Sequence, residues 1–187
     1  MTKERLLQSI KLHWLKGQKR NYYMKKVFGG FGENISYFPT IMPLYPELIK
    51  FHNNIVVASG VSFCTHDAIH KVLNVCVGGG NGTFKECVGC IEIMDNVFIG
   101  TQTTILFDVR IGSNVIIGAN SLVNKDLEGG YVYAGNPVRK ICSFDEFVNK
   151  RINSEYSFVE ASQHISKNET HVAWSDFNRN RTRREES

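Results

Sequence analysis

No run of apolar residues in this 187-residue chain is long enough to cross a bilayer, and its opening, Met1 to Arg5, mixes charges of both signs. Neither a membrane span nor a secretory leader is expected. Charge of one sign is also scarce in excess: 22 Lys and Arg stand against 18 Asp and Glu, leaving +4. That balance helps anionic ligands approach but falls short of the dense basic stripe of a nucleic-acid binder, so nucleic acid is not an expected partner. The five cysteines are an odd number without regular spacing, which excludes a disulfide framework. The cytoplasm, where thiols stay reduced, is the expected compartment.

What the chain does have is a period of six. From Cys87 to Glu128 an apolar residue opens each unit (Cys87, Ile93, Ile99, Ile105, Ile111, Ile117, Val123), and the fifth place holds Ile91, Val97, Thr103, Val109, Val115, Ser121 and Leu127. Gly100, Gly112 and Gly118 recur at the second place. A less clean series runs upstream through Phe31, Tyr37, Pro43, Ile49, Ile55 and Val61, with Ile35, Ile41, Ser59 and Thr65 among the fifth places. Six fits neither an amphipathic helix nor a simple alternating strand. It fits a solenoid of short strands in which one side chain per edge enters a narrow core, with rungs stabilised by their neighbours. Cys87, on this reading, is a small inward hydrophobe.

The expected organisation is a helical segment over 1–25, a coil over 26–142, and a helix with a polar tail over 143–187. Thr2 is placed to cap a first helix whose Leu6, Leu7, Ile10 and Trp14 share one face. Ser143-Phe144-Asp145-Glu146 is a capping-box signature opening a short helix through about Arg151. Beyond about Glu155 the sequence reads as polar and irregular, and its basic end (Arg179, Arg181, Arg183, Arg184) as a solvated terminus. Residues of about 67–86, with Gly78-Gly79-Gly80-Asn81-Gly82, break the rhythm and read as a loop thrown out of the coil, where long loops tend to carry function.

Several segments in order resemble the hexapeptide-repeat acyltransferases, most of all the branch that O-acetylates sugars and surface polysaccharides. They are Pro46-Glu47-Leu48-Ile49-Lys50, Asn53-Asn54, Ala58-Ser59-Gly60-Val61, Thr65-His66-Asp67, Asp95-Asn96-Val97-Phe98-Ile99-Gly100, Ile116-Ile117-Gly118-Ala119 and Ala134-Gly135-Asn136-Pro137. The resemblance covers about residues 30–142. It implies an all-β solenoid, a left-handed parallel β-helix with flanking N- and C-terminal helices, usually a homotrimer with acetyl-CoA between subunits. Departures fall at corners: Phe107-Asp108 where the family often has Pro-Gly, Met94 for a frequent Gly, and Glu128-Gly129-Gly130 for a turn that often contains Pro.

The implied reaction is direct transfer of an acetyl group from acetyl-CoA to a sugar hydroxyl. An alcohol is a poor nucleophile until its proton leaves, and histidine suits that task near neutral pH. His66 is the expected base, with Asp67 or a backbone carbonyl fixing its tautomer. The plain alternative is a surface histidine at a corner. His70 is an expected acceptor contact; with His52 the only other histidine in the coil, no metal is expected. Cys87-Val88-Gly89-Cys90 is half a zinc spacing at most, and Cys64 is a bystander thiol. By resemblance Phe98, Thr101, Ala119, Asn124, Lys125 and Arg139 are the expected cofactor contacts, the lysine and arginine suiting phosphate oxygens. An exposed aromatic and solvated turns are the competing readings of Phe98 and of the basic pair. An N-acetyltransferase acting on an amino sugar and a catalytically silent scaffold remain open alternatives.

Overall fold

In the computed structural model, residues 3–77, 82–154 and 165–185 are described. The chain divides into two units, Met1–Phe147 and Val148–Ser187.

Three short sheets make up most of the first unit. The first contains Gly30–Phe31, Ile49–Phe51, Ile91–Ile93 and Val109–Ile111. A second, six-stranded, runs through Ile35–Tyr37, Ile55–Val57, Val97–Ile99, Val115–Ile117, Tyr131–Ala134 and Arg139–Ser143. The third holds Ser62–Cys64, Thr104–Leu106 and Leu122–Val123. The chain visits the sheets in turn, and among the described strands all pairings within the sheets are parallel except the last, where Arg139–Ser143 folds back antiparallel on Tyr131–Ala134. Ile93 pairs with Ile111, Ile99 with Ile117 and Ile105 with Val123, so one regular coil takes three of the six-residue units.

The core is the inside of this coil. Ile93, Ile99, Ile105, Ile111, Ile117 and Val123 are fully buried, and so are Thr103 and Val115 from the fifth places. Each buried Ile or Val contributes roughly 1.5–3 kcal/mol. Ser121 and Thr103 keep their hydroxyls satisfied inside by donating to the Gly118 carbonyl, at 2.7 and 3.1 Å. Rungs approach closely at the second place: a Cβ on Gly100 would lie 2.5 Å from the Ala119 amide nitrogen. Corners need a left-handed residue, and asparagine supplies it at Asn34, Asn54, Asn96 and Asn114, with φ between 54° and 62°. Their side chains stack into a ladder, Asn54 donating to Asn96 and Asn96 to Asn114, each at 2.9 Å, with Asn34 bonded to Asn54. Asp108 takes φ 59° at the corner where a glycine was replaced, so the Phe107-Asp108 departure leaves the turn intact.

The upstream rhythm differs from its sequence reading. Phe31 pairs with Phe51 and Tyr37 with Val57, so this first coil is longer than three units by two positions. The surplus lies between Tyr37 and Phe51, in the stretch that holds Pro39, Pro43 and Pro46. Ile49, Ile55 and Val61 are buried, but as fifth-place residues, while Ile41 and Ser59 face solvent. Cys87 is exposed too, because it belongs to the returning limb of the excursion and not to a rung. From Phe51 to its partner Ile93 the chain runs through seven units, so the excursion adds four to the regular three.

Helices α1 (Lys3–Trp14) and α2 (Gly17–Val27) precede the coil. Thr2 and residues 78–81 lie outside the described residues. Inside the supposed loop stands a helix, α3 (His70–Cys76). The Ser143–Glu146 capping box is formed: the Glu146 carboxylate accepts the Ser143 amide (2.7 Å) and the Ser143 hydroxyl accepts the Glu146 amide (3.1 Å), opening α4 (Phe144–Ile152). Within the second unit the supposed irregular tail is helix α5 (Lys167–Glu185), started by a second such box between Ser166 and Glu169. Arg179 pairs with Asp176 and Arg181 lies over Phe177; the side chains of Arg183 and Arg184 lie outside the described residues.

Two outcomes follow from this architecture. Ile99→Ala should lower unfolding free energy by about 2–5 kcal/mol in denaturant titrations, whereas Ile41→Ala, six-periodic but outward, should change it by no more than about 0.5 kcal/mol. At another corner the Asn53 backbone and side-chain amides hold the Asp95 carboxyl below its ordinary range. A depressed native pKa stabilises above the unfolded value and is lost as pH falls through the native one. Carbon-detected NMR titration should find Asp95 below the usual aspartate midpoint, and Asn53→Ala, which removes the side-chain amide and keeps the backbone one, should raise it only part of the way.

Candidate active site

His66 follows the strand Ser62–Cys64 at one edge of the three-stranded sheet, where the coil gives way to the excursion. The excursion returns to clasp it. His66 bridges antiparallel to Val88, the Asp67 amide donates to the Cys87 carbonyl at 3.0 Å, and the Gly89 amide donates to the Thr65 carbonyl at 3.0 Å. The two limbs are tied further out, where Asn74 on α3 exchanges two hydrogen bonds of 2.9 Å with the backbone of Phe84.

Around the imidazole are two groups that the sequence did not single out. The edge of Tyr45 packs on the ring with centroids 5.7 Å apart, and a Glu86 carboxylate oxygen lies 4.0 Å from Nε2. The Tyr45 hydroxyl donates to the other Glu86 oxygen at 3.1 Å, and that bond and charge hold the phenol above its ordinary range. Tyr45 stands there because the buried Thr65 hydroxyl bonds to the Leu44 carbonyl and because Tyr45 adopts a left-handed φ of 52°. For a bulky residue that conformation costs on the order of 1–3 kcal/mol and tends to mark a site. Tyr45 also lines a cleft with Arg5, Gln8 and Glu47. No local motif ties Tyr45 or Glu86 to His66, and the Tyr45-Pro46 pair signals no more than a turn in sequence.

His66 Nδ1 is buried without a hydrogen-bond partner among the described residues, and Nε2 is the nitrogen facing Glu86. Asp67 does not fix that ring: its carboxylate accepts the Ile69 amide at 3.1 Å and so starts the turn into α3. The carboxylate beside the imidazole is Glu86 instead. His70 opens α3, half-buried, with its Nδ1 also buried and unpartnered among the described residues. Cys64 is half-buried at the end of its strand, and Cys87 and Cys90 are exposed.

The expected cofactor contacts bracket the outer face of the three-stranded sheet. Thr101 and Ala119 stack on successive coils at one edge, the Asn120 amide donating to the Thr101 carbonyl at 2.8 Å. The opposite edge carries His66, and two strands further along it Asn124 and Lys125, since Cys64 pairs with Leu106 and Ile105 with Val123. Two strand spacings put the backbones of that edge about 10 Å apart. Between the edges the outward side chains are Ser62, Cys64, Thr104, Leu106 and Leu122. Arg139 lies exposed just past Val138, whose amide donates to the Leu122 carbonyl at 2.9 Å. Phe98 sits on the neighbouring six-stranded sheet between Val56 and Ile116, 42% exposed. Among the described residues no three His, Cys, Asp or Glu side chains gather as a metal site would require.

The family model for the bacterial transferase hexapeptide (six repeats) matches residues 90–125. YvoF of Bacillus subtilis is 30% identical over 62% of this chain and 60% of its own length. The galactoside O-acetyltransferase of Escherichia coli is 28% identical over 66% of this chain and 68% of its own. A solved galactoside acetyltransferase in complex with coenzyme A superposes with a TM-score of 0.59 at 24% identity, covering 87% of each chain. Over residues 90–125 the chain carries the hexapeptide repeat, and the relatives it resembles over a longer span are acetyltransferases. It spans about three fifths of the length of the first curated relatives it matches.

Proposed function

We propose that the protein transfers an acetyl group from acetyl-CoA to a sugar hydroxyl, in or on the way to a surface polysaccharide, with His66 as general base. The observation that carries this reading is the clasped His66, its Nε2 beside Glu86, at the edge of a sheet whose rungs continue to Asn124 and Lys125. The family implies a left-handed winding of the coil, a homotrimer and a cytoplasmic setting. Exposed apolar side chains on the excursion (Ile69, Val72, Val75) suit a contact between subunits.

His66 Nε2 takes the hydroxyl proton as the acceptor oxygen attacks the thioester carbonyl, and gives it to the sulfur as the C–S bond breaks. Glu86 sets a negative charge beside the imidazolium as it forms, and Tyr45 holds that carboxylate in place. Ala119 and Thr101 leave room for the pantetheine arm along their edge, Phe98 flanks it, and Asn124, Lys125 and Arg139 meet its phosphates. The cleft of Tyr45, Arg5, Gln8 and Glu47, one ring away from His66, suits a polyhydroxylated acceptor, and His70 on the excursion is the second acceptor contact of this reading.

A thiol-release assay over a panel of sugars and amino sugars tests the reading. His66→Ala should lower turnover by on the order of 10²–10⁴ in a folded chain. Glu86→Gln, which keeps the Tyr45 bond but removes the charge, should cost less and alter the pH profile, and Asp67→Asn should leave chemistry nearly intact. Near-native turnover in His66→Ala would remove the base assignment. Failure of the native chain to bind CoA in calorimetry would favour a scaffold.

A further inference from the structure

Helix α1 is mounted on the coil by its polar side. Arg5 donates from Nε to the Met42 carbonyl at 2.8 Å, the Ser9 hydroxyl accepts the Met42 amide at 3.1 Å, and Leu12 is buried. These three follow one another at four and three residues, so they share a face. The apolar face shared by Leu6, Leu7, Ile10 and Trp14 therefore points outward. Leu6, Leu7, Ile10 and Trp14 are 45%, 58%, 45% and 78% exposed.

Charge is concentrated in the same place. Residues 1–27 hold eight Lys or Arg (Lys3, Arg5, Lys11, Lys16, Lys19, Arg20, Lys25, Lys26) against one acid, Glu4, a net of +7. The whole chain is +4, so the remaining residues sum to −3. Arg20 on α2 is spent on structure, donating to the Tyr37 and Leu12 carbonyls at 2.6 and 3.3 Å. Beside the stripe, α1 and α2 form a groove lined by Lys11, Leu15, Lys19, Tyr22, Tyr23 and Lys26.

We propose that this outward face of α1, with the lysine groove beside it, docks on an anionic phospholipid surface. A helix with Leu, Ile and Trp on one side and lysines around them is built to lie in the interfacial plane. The tryptophan suits headgroup depth, and the lysines meet lipid phosphates. A second copy would bring +7 against +7, and a sugar polymer would have no use for the aliphatic stripe. Among the described residues no helix is long and apolar enough to cross a membrane, so the association is peripheral.

The full chain is floated with phosphatidylcholine vesicles made with and without phosphatidylglycerol. Binding should need phosphatidylglycerol and weaken with added salt. Each of Lys11→Glu and Lys19→Glu should weaken it at least about five-fold, as expected for one lysine at an anionic surface, and Leu7→Glu with Trp14→Glu should abolish it. These side chains are exposed, and an unchanged thermal midpoint confirms folding. The proposal fails if the native chain ignores anionic vesicles or if the Leu7→Glu, Trp14→Glu chain still binds them. It also fails if that double variant loses an assembly state in sedimentation velocity without losing vesicles, or if the face takes up a soluble anionic polysaccharide and not vesicles.

Discussion

Backbone pairing between rungs is the interaction on which this molecule depends. Ile91–Ile93 finds its partners in Ile49–Phe51 on one side and Val109–Ile111 on the other, and every coil repeats the arrangement. For those bonds to stay in register, each turn must consume the same length and place the same kind of side chain inward. Hence the narrow core of Ile and Val, the asparagines at left-handed corners, and the glycine at position 100, where Ala119 comes too close for a Cβ. Departures from three units per coil are tolerated only where the extra chain can leave the prism, and both such places bear on the site. The small surplus before Phe51 lies in the segment that puts Tyr45 at His66, and the larger excursion before Ile91 supplies Glu86.

Periodicity made the downstream coil legible because burial there follows the six-residue count without exception from Ile91 to Leu127. It misled upstream because Ile49, Ile55 and Val61 are inward at both candidate phases, which hides a slip of two. Cys87 shows the same limit: it keeps the count but lies on a limb that no rung holds. On α1 the shared apolar face was legible but its direction was not. Amphipathicity tells which side of a helix is apolar, and here Arg5 and Ser9 anchor the other side to Met42. For α5 the signal was present: Ser166-Lys167-Asn168-Glu169 repeats the capping-box pattern recognised at Ser143, and polarity alone obscured it.

The candidate site was half visible in the sequence. His66 stands out because a chemically apt residue follows a rung and precedes a break in rhythm. Its partners do not, because Tyr45 and Glu86 lie more than a coil away in sequence, one before it and one after. They meet only through the ring contact and the carboxylate they share. Proximity in sequence favoured Asp67, yet a carboxylate next to a histidine along an extended chain points away from it, and local geometry turns Asp67 onto the Ile69 amide. Sequence neighbours serve the turn; distant residues serve the ring.

A rigid coil also explains where adaptability resides. Rungs cannot move singly without breaking pairs on both sides, so positional precision comes from the prism and chemical variety from what is attached to it. The attachments here are α1 and α2, the excursion with α3, and the segment carrying Tyr45. The first adds a basic, outward-apolar surface to a remainder that is slightly acidic. The other two converge on one imidazole from opposite directions in sequence. On the proposed reading, the straight edge of the coil would hold the long pantetheine arm, and the attachments would govern which acceptor reaches His66.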